Sequence, residues 1–172
     1  TAQKKINTRK DYIRNSCTKV DVCVVGHITR DIIKIGNRVK ELPGGTAYYT
    51  SVALKNLGVN VAVVTKLNYS DRYLLDELTK NNIPIFLNKS PKTTIFENIY
   101  LDGYSPPGKD RLQKVRAVAT PIRVDELRDI SSVIFHIGSL TKGDVSPEAL
   151  KFLSKKSIIS LDVQGFLREV VE

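Results

Sequence analysis

The sequence predicts an α/β fold, a doubly wound and mainly parallel sheet accompanied by a small β-sheet. Three observations carry this. Short, nearly continuous apolar runs such as Val20–Gly26 and Val133–Gly138 read as strands buried on both faces. Helical segments with recognisable start and stop residues lie between such runs, so strand and helix alternate. Two stretches, around 31–42 and 93–119, break the alternation; they read as half-exposed strands of a separate sheet.

The elements follow in order. Val20 to Gly26 is the first strand, and residues 31–42 form a hairpin turning at Gly36-Asn37. Pro43-Gly44-Gly45 interrupts the chain before a helix from Thr46 to Leu57, which Gly58 ends. Val59 to Leu67 is a second buried strand, and Leu74, Leu75 and Leu78 mark the apolar side of a helix over 70–80. Ile83 to Leu87 is a third strand. Thr93 to Leu101 and Leu112 to Ala119 are two more, joined by the turn-rich loop 102–110. After the strand at 133–138, Ser146 caps a helix whose first residue is Pro147, and a last strand runs from Ser157 to Val163. In such sheets ligands bind beyond the carboxyl ends of the strands. That directs attention to residues 26–31, 43–49, 136–139 and 162–168.

The composition is that of a globular protein, 41% hydrophobic and 26% charged over 172 residues, and no apolar run approaches the ~20 residues of a membrane span. The net charge of +9 points first at nucleic acid. Six basic residues against Asp11 within the first twenty account for five of those nine charges. Residues 1–18 therefore read as a basic flexible tail on an ordinary domain of residues 19–172. Nucleic-acid binding through that tail is a minor alternative. Two cysteines, Cys17 and Cys23, make no disulfide framework and no zinc spacing, which suits the cytoplasm. The absence of Met and the ending Val170-Val171-Glu172 lead us to expect a truncated chain.

Several polar residues fall at the carboxyl ends of strands. Gly44-Gly45 before a helix lets backbone approach a ligand and offers unpaired N–H groups to its oxygens. Asp31 can accept hydrogen bonds from two hydroxyls, or can satisfy nearby backbone N–H groups. Asp162, Gln164 and Arg168 form a second cluster, in which Arg168 can hold an anion or pair with Asp162. His136 reads as a core histidine, and His27 as exposed to the cleft without a partner. Tyr48 and Tyr49 read as packing residues; Glu97 and Asn98 can reach over a substrate. No Walker loop and no dinucleotide-binding glycine motif occurs.

Taken together, Gly26-His27-Ile28-Thr29-Arg30-Asp31, a hairpin, Pro43-Gly44-Gly45-Thr46-Ala47, a helix ending Asn56-Leu57-Gly58 and the strand with Val64-Thr65-Lys66-Leu67 resemble the amino-terminal half of the ribokinase-like, or phosphofructokinase-B, kinases. Leu161 to Arg168 resembles an Asp-x-x-Gly/Asn-x-x-Arg element of the same family. The resemblance covers Val20 to Arg168. It implies an α/β domain with a small β lid, and an ATP-dependent kinase acting on an alcohol of a sugar, nucleoside or polyol. Thr29, Asp31, Gly44, Gly45, Thr46 and Asn98 are then the substrate-binding residues; Asp162, Gln164 and Arg168 are anion-binding or cleft-lining. ATP and Mg2+ are implied, with sites mostly outside this chain.

The sequence departs from the family pattern at three points. Tyr49 and Thr29 stand where many members have Asn. The Gly-Ala-Gly-Asp segment that carries the family's anion hole and catalytic Asp does not occur in these residues. No catalytic residue and no metal ligand is therefore assigned, and the chain alone is expected to be inactive. A non-catalytic sugar- or nucleoside-binding module is the alternative. A homodimer through the lid edges is compatible with either.

Overall fold

The computed structural model describes residues 19–100 and 111–168. Its strands are β1 (Val20–Val25), β2 (Thr29–Ile35), β3 (Arg38–Gly44), β4 (Val61–Leu67), β5 (Ile85–Lys89), β6 (Ile95–Tyr100), β7 (Arg111–Ala117), β8 (Ser132–Ile137) and β9 (Ile158–Leu161). The α-helices are α1 (Thr46–Asn56), α2 (Asp76–Lys80), α3 (Pro147–Ser154) and α4 (Gln164–Leu167). The expected basic tail and the loop 102–110 lie outside the described residues.

The main sheet has the order β5-β4-β1-β8-β9, and all its pairings are parallel. Its central strands are apolar on both faces because both faces are covered. On one face Cys23, Val25, Ala62, Val64, Phe135 and Ile137 pack with Ala149 and Leu153 of α3. On the other, Val24, Val61 and Val63 pack with Ala47 and Tyr48 of α1 and with Leu74, Leu75 and Leu78. Burying one such Leu or Val contributes about 1.5–3 kcal/mol, so the two cores set the sheet's register. The Cys23 thiol lies wholly in the first core, where burial pushes its pKa up to about 12 and keeps it protonated.

The remaining strands form a second sheet, β3-β2-β6-β7, with one parallel pairing between two antiparallel ones. It grows from the carboxyl end of β1 and returns to the main sheet through α1 and through residues 118–122. Alternation along β2 and β6 divides its side chains. Asp31 lies opposite Phe96 and Ile33 opposite Asn98 on one face, while Glu97 sits on the other.

Two expected elements differ in the structure. The segment expected as one helix over 70–80 is a 3-10 turn, Tyr69–Leu75, followed by α2. Asp71 leaves helical geometry at φ −99° and ψ 16°, and its carboxylate accepts from Thr93 Oγ1 at 2.5 Å and faces Arg30 Nη1 at 3.7 Å. A tertiary hydrogen bond there outweighs helix propensity. The short α4 lies within residues 162–168, which were read as a polar cluster without a helix.

Candidate functional site

The site is built where β1 ends and the chain enters the second sheet. Thr29 and Asp31 alternate along β2 and so share a face, and Thr29 Oγ1 donates to Asp31 Oδ1 at 2.7 Å. The antiparallel pairing of β2 with β3 brings Gly44 opposite Thr29. A Cβ at Gly44 would lie 2.5 Å from Asp31 Cγ and 2.8 Å from Thr29 Oγ1. Glycine there makes room for the carboxylate to lie against the backbone. Gly45 has φ +93°, the region glycine favours, and a Cβ on it would meet the His27 carbonyl oxygen at 2.6 Å. It is the N-cap of α1, and its carbonyl accepts the Tyr48 and Tyr49 amides at 3.1 and 3.2 Å, which leaves the Thr46 and Ala47 amides without a partner in the helix.

Thr46, the first residue of α1, donates from Oγ1 to Asp162 Oδ2 at 2.9 Å. Asp162 Oδ1 accepts from the Gln164 amide at 2.9 Å. The loop after β9 is thereby tied to the start of α1, over 116 residues of sequence. Gln164, oriented with its amide oxygen toward the guanidinium, accepts from Arg168 Nη1 at 2.8 Å. The Arg168 guanidinium carbon lies 5.9 Å from the centre of the Phe96 ring, which connects α4 to the second sheet.

Burial raises the pKa of Asp31; the hydrogen bond from Thr29 and the charges of Arg111 and Arg168 act against it. Tyr49 hydroxyl is likewise raised, by burial first and by the negative charge of Asp31 second. Tyr49, read from the sequence as a packing residue, and Arg111, which the sequence reading does not single out, thus both interact electrostatically with Asp31. Their strand and helix positions carry the available signal. Arg111 is opposite Tyr100, on the face of Asn98, and Tyr49 is one helical turn beyond Gly45.

Among the expected site residues, Thr29, Asp31, Gly44 and Gly45 form one cluster, and Thr46, Asp162, Gln164 and Arg168 another beside it. Asn98 faces the same side as Asp31 but is 6% exposed and accepts from Gln113 Nε2 at 2.8 Å. Glu97 is not over the site. It bonds Lys34 and Arg116 on the opposite face, and those cations lower its pKa. The packing role expected of both tyrosines holds for Tyr48, whose hydroxyl donates to Glu77 at 2.5 Å, whereas Tyr49 is 59% exposed.

The two histidines are the reverse of expectation. His27 is fully buried and has partners, because residues 94 and 120 arrive from the second sheet to cover it. His136 is half-buried, with Nδ1 3.1 Å from Ser160 Oγ, because its side faces the sheet's thinly covered β9 end.

Among the described residues no three His, Cys, Asp or Glu side chains converge as a metal site requires. What the cluster can do is accept hydrogen bonds from an alcohol at Asp31 and offer N–H groups and a guanidinium to oxygen.

A doubly wound parallel sheet with a small mixed sheet at its carboxyl edge is the ribokinase-like fold. Solved structures of similar fold bear this out. A pyrophosphate-dependent kinase in the ribokinase family, in sulfate complex, matches with TM-score 0.78 and 28% identity, over 88% of this chain and 52% of its own. A pyrophosphate-dependent kinase of that family with a pyrophosphate analog and myo-inositol gives 0.77 and 26%, again over 88% and 52%. A nucleoside kinase from Methanocaldococcus jannaschii, an archaeal member of the family, gives 0.60 at 20% identity over 84% and 53%, a likeness of fold alone. The chain thus spans about half the length of the solved structures it matches. No protein-family model and no curated protein sequence matches it.

Proposed function

We propose that this chain supplies the substrate-binding face and the lid of a kinase that phosphorylates an alcohol of a polyol, sugar or nucleoside. The carrying observation is the Asp31 carboxylate, held by Thr29 and laid against Gly44 at the carboxyl edge of a ribokinase-like sheet. Asp31 accepts the hydrogen bonds of substrate hydroxyls, and the first-turn amides of α1 face the oxygen atoms. The second sheet acts as the lid that excludes water, which otherwise competes as phosphoryl acceptor.

The similar structures that bind myo-inositol and a pyrophosphate analog support a polyol and admit pyrophosphate beside ATP as donor. The donor's groups and the base for the attacking hydroxyl lie outside this chain, so by itself it binds but does not turn over. The unpaired edges of the lid, β3 and β7, are where a homodimer would join. Its setting is the cytoplasm; no helix among the described residues is long and apolar enough to cross a membrane.

Calorimetry with myo-inositol, ribose and adenosine tests the reading, together with consumption of ATP or pyrophosphate by the same preparation. Binding of one of these alcohols without turnover, weakened at least ~10-fold in Asp31→Ala, is expected. Turnover by this polypeptide alone, or binding indifferent to Asp31, would refute it.

A further inference from the structure

We propose that His27 and Asp144 form a proton-operated latch at the foot of the second sheet. When the imidazole takes up a proton it releases Thr94, and the sheet that carries Asp31 lifts while the main sheet stays folded.

The parts of the latch are buried. The side chains of His27 and Asp144 are fully enclosed, with Nδ1 3.6 Å from Oδ1. That separation suits an ion pair and is too long for a hydrogen bond. Nδ1 lies instead 3.1 Å from Thr94 Oγ1, and Nε2 lies 3.2 Å from the Thr120 carbonyl oxygen. A carbonyl only accepts, so the neutral ring keeps its proton on Nε2 and takes the Thr94 hydroxyl hydrogen at Nδ1. Thr94 Oγ1 in turn accepts the Ala119 amide at 3.0 Å. The ring closes the segment entering β6 onto the segment leaving β7 only while Nδ1 is bare.

A second proton changes this geometry. It sets a hydrogen on Nδ1 against that of Thr94, a fully buried side chain with no other acceptor among the described residues. The acceptor facing the new N–H is Asp144 Oδ1. Asp144 is fixed in place: its Oδ2 accepts the Leu140 and Thr141 amides at 2.7 and 3.1 Å, and its Oδ1 accepts the Thr141 hydroxyl. The other charges around the ring are Lys66 of β4 and Glu126 of the 3-10 turn Val124–Glu126. These two act on the ring in opposite directions and pair with each other at 2.7 Å. The imidazolium is left with Asp144, which belongs to the loop after β8 and not to the second sheet. Burial opposes the charged ring. A proton from solvent is held most easily once the foot of the sheet has lifted and water reaches the ring, so acid favours the lifted state.

Hydrogen exchange of the whole chain at pH 7 and pH 5, corrected for the intrinsic pH dependence of exchange, reads the lifting. Amides of residues 95–100 and 111–119 are expected to lose about 10-fold more protection than those of β1 and β4. His27→Gln keeps an amide donor and acceptor but does not titrate, and should abolish the difference; its melting temperature shows whether it is folded. Nitrogen NMR of the imidazoles should find His27 protonated at Nε2 at pH 7, and titrating at lower pH in Asp144→Asn than in wild type. An equal fall of protection in both sheets would assign the proton to global unfolding and overturn the latch. A loss in the second sheet that survives in His27→Gln would also overturn it, since another group would then be titrating. So would a proton on Nδ1 at pH 7, or a His27 titration indifferent to Asp144, and both of these are read without the Gln variant.

Discussion

His27 Nε2 lies 3.2 Å from the carbonyl oxygen of Thr120, a residue 93 positions later in the chain. The carbonyl can only accept, so Nε2 carries the proton and Nδ1, 3.1 Å from Thr94 Oγ1, accepts from that hydroxyl. One buried neutral imidazole thus ties together the segment that leads into β6, at Thr94, and the segment that leaves β7, at Thr120. Ala119 and Thr120 donate their amides to Thr94 Oγ1 and Ser90 Oγ at 3.0 Å each. Lys66 Nζ donates to the Pro121 carbonyl at 2.9 Å. The footing of the second sheet is a polar clamp, with its backbone groups satisfied by side chains from the β1–β2 connection, β4 and the segment before β6.

Replacing His27 by Leu takes away the side-chain donor to the Thr120 carbonyl and the acceptor of the Thr94 hydroxyl hydrogen. Each such loss costs about 1–3 kcal/mol. Urea unfolding of His27→Leu should therefore show a stability lower by roughly 2–4 kcal/mol. A change below half a kcal/mol would mean the clamp contributes nothing.

The same residue makes stability pH-dependent in a definite sense. Burial lowers the pKa of His27 below its ordinary 6.5, with Asp144 opposing. Below that ordinary value the unfolded chain takes up a proton that the folded chain refuses, so stability rises with pH through this range and falls on acidification. Between pH 7 and pH 5 wild type should lose stability that His27→Leu does not lose. Parallel pH profiles for the two proteins would show that His27 does not titrate in this way.

Lys66 and Glu126 form the charged part of the footing, with Nζ 2.7 Å from Oε1 and side chains 7% and 14% exposed. Removing one partner of a buried pair costs about 3–5 kcal/mol, because the other charge is left uncompensated. Lys66→Met should fall in that range, and Lys66→Met with Glu126→Gln should regain a measurable part. Glu126 also accepts from the Arg123 amide at 2.8 Å, which Gln preserves. Additive losses in the double variant would contradict direct coupling of the pair.

Much of this was legible in the sequence where interactions are local or repeated along an element. β1, β4 and β8 announce themselves because both faces are packed, so their apolar runs are continuous. Ser146 accepting from the Ala149 amide at 3.1 Å, with Pro147 next, is written in three adjacent letters. The grouping of Thr29, Asp31 and Gly44 follows from a hairpin with a known turn. What was illegible depends on distant chain. Asp162 is free to pair with Arg168 as far as local spacing shows, until Thr46 takes it from 116 residues away. His27 looks exposed after a strand end until Thr94 and Thr120 arrive over it.

Asp31 should act against stability while serving binding. Its pKa is raised by burial, so above the ordinary carboxylate range the folded state carries a charge that the unfolded chain carries more easily. Asp31→Asn keeps an oxygen for the Thr29 hydroxyl and removes the charge. Its melting temperature should exceed wild type at pH 7, and the gain should shrink as pH falls through the carboxylate range. Polyol binding should weaken in the same variant. A lower melting temperature at pH 7 would mean that Arg111 and Arg168 stabilise the ionised carboxyl more than burial costs it.

The two glycines of the diglycine should fail in different ways. A Cβ on Gly44 meets Asp31 Cγ at 2.5 Å and Thr29 Oγ1 at 2.8 Å, both side-chain atoms that can rotate away. Gly44→Ala is then expected to displace the carboxylate and break its hydrogen bond with Thr29, costing about 0.5–1.5 kcal/mol of stability. Polyol binding should nevertheless fall at least ~10-fold, because the acceptor is displaced from its seat on Gly44. A Cβ on Gly45 meets backbone, the His27 carbonyl at 2.6 Å, from a φ of +93° that L side chains rarely adopt. Neither the peptide nor the helix start can move without dislodging the clamp at His27, so Gly45→Ala should cost more, about 1–3 kcal/mol from backbone strain alone. Urea unfolding and calorimetry on the two variants separate these outcomes. Equal stability losses with equal binding would mean the carboxylate is not seated on Gly44 in solution.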